Sequence, residues 1–325
     1  MPIVMKRFFV AALVLFTASS ALAESAESLV QNMGKAFREH NYRGYLTYEY
    51  GSKIESFAVL HAVVDGRELE KISTQAGAAS EIVRSGHALH CLHSGNKLLR
   101  YGLNSPANMK ESALAGGATA VLASYDFLLM GDSRVAGRDV SEVHVVPRDA
   151  LRNGFKLSID KQTGLMLKTV ILSPEAKVLE RFQFVHVDIG VDIDPSEFES
   201  VDTLPVRDVT HGENLKQVLS VNAGVAATPS WLPSGFVLSE EDHHHNASSL
   251  MLYSDGLATV SIVLEKVVAN TASLATDGRA RRGSMVAYTR PVLVDGEKYV
   301  LTVMGEVPLF TAARIARQMK FLRAG

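Results

Sequence analysis

The chain has 325 residues, 47% of them hydrophobic, enough to bury one large core or two ordinary ones. Lys+Arg 33 against Asp+Glu 35 leaves a formal net charge of −2, which argues against a general nucleic-acid binder. Cys91 is the only cysteine, so no intrachain disulfide can form and stability has to come from the core.

Lys6-Arg7, the apolar run Phe8–Phe16 and Ala21-Leu22-Ala23 have the layout of a secretory signal with an A-x-A cleavage site. The apolar run is short for a membrane span, and cleavage after Ala23 would export the remainder as a soluble protein. Leu29, Met33, Ala36 and Phe37 then recur at helical spacing, with Glu27 near the positive end of the helix dipole.

Strands follow at once. Tyr42–Tyr50 and Ile54–Val64 precede the turn signal Asp65-Gly66, and Arg67–Thr74 returns beside them. Glu81–Ser85 and His87–His93 add two short strands. A helix followed by successive hairpins means α+β, mostly antiparallel sheet. Between Asn104 and Ser124 the pattern weakens: Met109–Leu114 and Ala118–Phe127 read as short helices around Gly116-Gly117. That alanine-rich stretch is either a connection resting on the core or a flap over an apolar cavity.

From Ser133 to Phe184 the spacing predicts a meander of four strands, Val140–Val146, Phe155–Asp160, Met166–Ser173 and Val178–Val187. Gly164 supplies the positive φ of the turn after Asp160, and connections this short exclude parallel crossovers. Acidic residues accumulate from Asp188 to Asp202 without calcium-loop spacing and read as a solvated edge. Val206–Thr228 reads as a linker or a loosely attached strand.

Trp231-Leu232-Pro233-Ser234-Gly235-Phe236 opens a second unit. Leu250–Tyr253 and Leu257–Leu264 form one hairpin, and Ser284–Tyr288 pairs with Lys298–Gly305 around Asp295-Gly296. Phe310–Leu322 has helical spacing. The expected organisation is a signal over 1–23, a first domain over 24–205, a linker over 206–229 and a second domain over 230–325.

Three clusters carry possible chemistry. His87, Cys91 and His93 share one strand face, but one strand does not close a tetrahedral zinc site, and a buried thiol among ordinary histidines is preferred. His243-His244-His245 is expected in a loop. Arg279, Arg281 and Arg282, beside Gly278 and Gly283, are expected on an exposed loop, either solvated or binding an anionic partner. No nucleophile elbow, HExxH helix or P-loop occurs, so neither an enzyme nor a cofactor is expected.

The order of several blocks resembles the MucB/RseB family of envelope-stress regulators. They are Ser133–Arg138, Pro147-Arg148-Asp149, Gly154-Phe155, Thr163-Gly164-Leu165 and Leu179-Glu180-Arg181-Phe182-Gln183-Phe184. Trp231–Phe236, Tyr253–Leu257 and Gly305-Glu306-Val307-Pro308 continue the match in family order. The resemblance implies a lipoprotein-carrier-like first domain, a curved antiparallel half-barrel with helices at its mouth, and a smaller second sheet packed by one helix. It also implies that the protein binds the periplasmic segment of a membrane-bound anti-sigma factor and shields it from the initiating protease. Acylated lipid or lipopolysaccharide would release it, and a homo-oligomer is a further possibility.

On this reading Arg279, Arg281 and Arg282 face the partner. Tyr45, Tyr48, Leu114, Val121 and Phe127 line the lipid cavity. A lipid carrier and an unrecognised envelope hydrolase remain the alternatives.

Overall fold

The computed structural model describes residues 25–77, 81–85, 88–92, 117–199, 207–208, 225–244, 248–267 and 276–323. The signal segment, Leu114, His87, His93 and His245 lie outside these. The first helix, α1 (Ala26–Glu39), begins where the Ser25 side chain accepts the Ser28 backbone N–H. It ends as His40 turns extended, and its stripe of Leu29, Val30, Met33, Ala36 and Phe37 is buried.

That stripe packs into an 11-stranded antiparallel sheet. In chain order its strands are β1 (Tyr42–Tyr50), β2 (Lys53–Val64), β3 (Arg67–Thr74), β4 (Glu81–Ser85) and β5 (Ala88–Leu92). Then come β6 (Tyr125–Val135), β7 (Arg138–Pro147), β8 (Gly154–Asp160), β9 (Met166–Leu172), β10 (Val178–Ile189) and β11 (Arg207–Asp208). Their spatial order is β11-β5-β4-β3-β2-β1-β10-β9-β8-β7-β6. The sheet is open and curved, and its edge strand β6 comes round to meet both α1 and β10. Tyr42, Leu46, Tyr48, Phe57, Val59, Phe182 and Phe184 join the helix stripe in one core.

Asp65-Gly66, Ala136-Gly137 and Asp295-Gly296 each place two consecutive residues at positive φ. Such turns match the strand twist of a tight hairpin. Only the Ala136 turn lacks the usual Asn or Asp.

The second sheet has six antiparallel strands. They are β13 (Val237–His244), β14 (Ser248–Ser254), β15 (Thr259–Lys266), β16 (Gly278–Arg282), β17 (Met285–Val294) and β18 (Glu297–Gly305). The order is β13-β14-β15-β18-β17-β16. Helix α3 (Leu309–Arg317) buries Ala312, Ala313, Ile315 and Ala316 against it. Strand β12 (Val225–Pro229), at the end of the stretch expected as linker or loosely attached strand, pairs with β19 (Met319–Arg323) in a separate ribbon.

Four local expectations are corrected. The helix expected over Ala118–Phe127 is α2 (Gly117–Ser124), and the chain then becomes strand β6, because Tyr125–Val135 pairs with β7 along its whole length. The C-terminal helix stops at Arg317 rather than reaching Leu322, since Met319–Arg323 is held by β12. Arg279, Arg281 and Arg282 lie in edge strand β16, not in a loop, and His243 and His244 pair with Ser249 and Ser248 within the second sheet. In both cases ladder hydrogen bonds come from the backbone, so a charged or polar edge strand leaves no loop signature to distinguish it.

Candidate functional site between the two sheets

The second sheet docks on one end of the first, and the seam has two unlike halves. In one, Arg152 follows β7 and is buried to 1% exposure. Its Nε and Nη2 donate to Asp149 Oδ1 and Oδ2 at 3.1 and 3.0 Å. Nη1 reaches Asp255 Oδ2 at 2.6 Å, and Nη2 also donates to the Ser234 carbonyl at 2.6 Å. Asp255, in the β14–β15 turn, is itself fully buried. Its Oδ2 also accepts the Tyr125 hydroxyl at 2.9 Å, and its Oδ1 accepts the backbone N–H groups of Leu257 and Ala258.

The guanidinium is sandwiched between the rings of Tyr125 and Phe236, each 5.5 Å away. Burial, followed by the Asp255 charge, holds the Tyr125 hydroxyl well above its usual range, so it remains a donor. The turn that carries Asp255 also carries Leu257, which is packed in the core of the first sheet. Thr311 Oγ1 donates to the Leu151 carbonyl, and Asn153 Nδ2 to the Glu306 carbonyl, extending this half toward α3.

The other half centres on Glu180 of β10, which is fully buried. Its Oε1 accepts the Ser284 backbone N–H across the seam at 2.7 Å. The Tyr48 hydroxyl hydrogen-bonds the same carboxylate from within the first sheet. Gly283 has φ +58, and a Cβ there would fall inside the Glu180 carboxylate, so only glycine lets the turn enter. Beside it Arg282 lies over the Tyr50 ring at 4.5 Å and pairs with Glu55 at 3.6 Å. Tyr50 stacks on Tyr48 at 4.9 Å, and Tyr48 on Phe182 at 4.4 Å.

Burial is the largest influence on Glu180 and raises it, partly offset by the Ser284 N–H and the Tyr48 hydroxyl. Glu306 is pushed up to about 8, first by burial and then by the nearby Glu180 and Asp255 charges.

The seam separates the three arginines. Arg282 is used within it, Arg279 is exposed on β16, and Arg281 is exposed at a crevice of about 200 Å³ that Pro174, Leu179, Pro308 and Phe310 also line. The cavity residues are separated as well. Tyr48 and Val121 are buried in the first core, and Phe127 packs against it. Tyr45 is 53% exposed on the opposite face, as strand alternation from Tyr48 requires. Cys91 and His90 lie in β5, paired with Ile82 and Val83. Among the described residues no group of three or more His, Cys, Asp or Glu side chains could hold a metal ion.

Sequence reasoning did not single out Arg152, Asp255, Glu180 or Glu306 as site residues, because each depends on the other sheet. The signal was nevertheless there. Asp149, Glu180, Asp255 and Glu306 all fall in blocks that carry the family resemblance, and those blocks converge on this seam.

Comparison with known proteins matches the MucB/RseB N-terminal domain over residues 25–202 and the MucB/RseB C-terminal domain over 225–320. The sigma factor AlgU regulatory protein MucB of Pseudomonas aeruginosa is 29% identical over 306 residues, 92% of each chain. The sigma-E factor regulatory protein RseB of Escherichia coli K12 is 27% identical over 319 residues, 94% of each. A solved complex of Pseudomonas aeruginosa MucA and MucB contains a chain 27% identical, with a TM-score of 0.72. That match covers 91% of this chain and 98% of the solved one.

Proposed function

The chain belongs to the MucB/RseB family, and from that premise we propose that it is an exported, non-enzymatic negative regulator of an envelope-stress sigma factor. It acts in the periplasm by binding the periplasmic segment of a membrane-bound anti-sigma factor and covering it against regulated proteolysis, and acylated lipid releases it. One observation carries this reading: the likeness to MucB solved with the periplasmic part of MucA spans both sheets, with 91% of this chain and 98% of that one aligned. A binding role fits the chemistry of the seam, where Arg152, Asp255 and Glu180 are engaged in hydrogen bonds that join the two sheets.

Edge strand β16 is the proposed contact. Arg279 and Arg281 present guanidinium groups to carboxylates of an extended segment, and Arg282 fixes the strand against the first sheet. Calorimetric titration against the isolated periplasmic segment, with digestion of that segment by its initiating protease as a second readout, tests the reading. Binding with protection from cleavage is expected, and absence of both would overturn it. Changing Arg279, Arg281 and Arg282 together to Ala is expected to weaken binding, while unaltered affinity at matched salt would remove this strand from the interface.

A further inference from the structure

The crevice beside Arg281 lies where the two sheets meet. Its volume of about 200 Å³ exceeds the roughly 150 Å³ that accommodates a benzene ring. The first sheet supplies Asn153 and the β9–β10 turn, and the second supplies Arg281 and the start of α3. Three features of its wall call for a ligand.

The first is Asn153, buried to 1% exposure. Its Nδ2 donates to the Glu306 carbonyl at 3.0 Å. Reversing the amide would set oxygen against oxygen, so Oδ1 is the group left over. Among the described residues this Oδ1 accepts no hydrogen bond. A buried acceptor in that condition is costly, and a donor from a ligand answers it.

The second is the start of α3. Pro308 provides no side-chain cap, and the first N–H groups to bond are those of Thr311 and Ala312, both to the Pro308 carbonyl. The Leu309 and Phe310 N–H groups precede those bonds, at the positive end of the helix, and both residues line the crevice. The third is the charge of the rim. Lys177 and Arg281 are exposed there against one carboxylate, Glu175, which accepts the Ser173 hydroxyl at 2.7 Å. Two cations and a helix N-terminus outweigh that carboxylate, so the crevice favours an anion. The remaining wall is apolar, with Leu179, Pro308 and a Phe310 that is 50% exposed.

We propose that this crevice binds a small carboxylate with a neighbouring hydrogen-bond donor and an apolar side chain, the pattern of an α-hydroxy or α-amino acid. The carboxylate takes the N-terminus of α3 with Arg281 and Lys177. The neighbouring hydroxyl or ammonium donates to Asn153 Oδ1, and the side chain covers Phe310. Both sheets contribute, so the ligand binds their docked arrangement and stabilises it by mass action. The inference does not rest on the proposed partner: failure of the anti-sigma titration leaves this site standing.

The test is calorimetric titration of the full mature chain with four probes that share one ring. Phenyllactate and phenylalanine carry both carboxylate and donor, hydrocinnamate lacks the donor, and phenylalaninol lacks the carboxylate. The better of the first two is expected to bind about tenfold more tightly than hydrocinnamate, as one hydrogen bond to a buried acceptor implies. It also identifies the donor as hydroxyl or ammonium. Phenylalaninol is expected not to bind. Lys177→Ala and Phe310→Ala, both outside the proposed partner strand, are each expected to weaken the better probe several-fold. Asn153→Ala is expected to erase the advantage over hydrocinnamate. Should that variant not fold, the comparison of probes on the wild type decides alone. The proposal is overturned if neither complete probe binds at millimolar concentration, if hydrocinnamate binds as well as the better one, or if Lys177→Ala and Phe310→Ala both keep wild-type affinity.

Discussion

The two halves of the seam use similar groups to opposite effect. Both bring a buried carboxylate of one sheet against the other. Asp255 meets a guanidinium, a phenol and two backbone N–H groups, so its charge is fully answered where it lies. Glu180 meets the Ser284 backbone N–H and side chain from the facing sheet, a tyrosine hydroxyl and the field of Arg282, with no cation in hydrogen-bond contact among the described residues. A buried charge holds a joint most firmly when every lone pair is used.

The strongest way to break this contrast is to remove the fixed joint. Arg152→Ala would leave Asp255 and Asp149 facing each other without a cation, a loss of about 3–5 kcal/mol for one partner of a buried pair. A large fall in the melting temperature is expected, and a melt like that of the wild type would show the cluster to be unimportant for stability.

Glu306→Gln sharpens the contrast through pH. Burial and the two neighbouring carboxylates raise Glu306 to about 8, above its ordinary value of 4.5. A raised acid contributes stability that is fully present below the ordinary value and is lost as pH rises through about 8. Glu180 is raised too, so both acids weaken the seam on the alkaline side. The wild type is expected to lose melting temperature between pH 5 and 9, and Glu306→Gln to flatten that decline. Parallel curves would show that Glu306 does not titrate in this range.

The smallest effect on stability is expected from Arg281→Ala. Arg281 is exposed at the crevice and makes none of the seam's hydrogen bonds, so the melt is expected to stay at the wild-type value. Arg282→Ala, by contrast, removes the contact with Tyr50 and Glu55 and is expected to lower it. Equal melts for the two variants would erase the distinction between seam and surface arginines.

Much of the fold was legible because it rests on local rules. The helix stripe of α1, the Asp65-Gly66 and Asp295-Gly296 turns, and the meander from β7 to β10 follow from period and turn chemistry. The misplaced elements were those fixed by distant pairing. The expected alanine-rich helix runs to Phe127, three residues into strand β6, β19 cuts short a helix that helical spacing would extend, and β16 looks like a basic loop.

The site was less legible. The order of its sequence blocks marked the family and located four of the seam residues without saying what they touch. By itself the sequence determined the α+β class, the antiparallel hairpins and the family, because periodicity, turn residues and block order are properties of neighbours along the chain. Only the tertiary structure decided that Arg152 meets Asp255 across 103 positions and Glu180 meets Ser284 across 104. A buried carboxylate carries no mark of its partner in the residues beside it; the fold chooses that partner when two sheets exclude water between them.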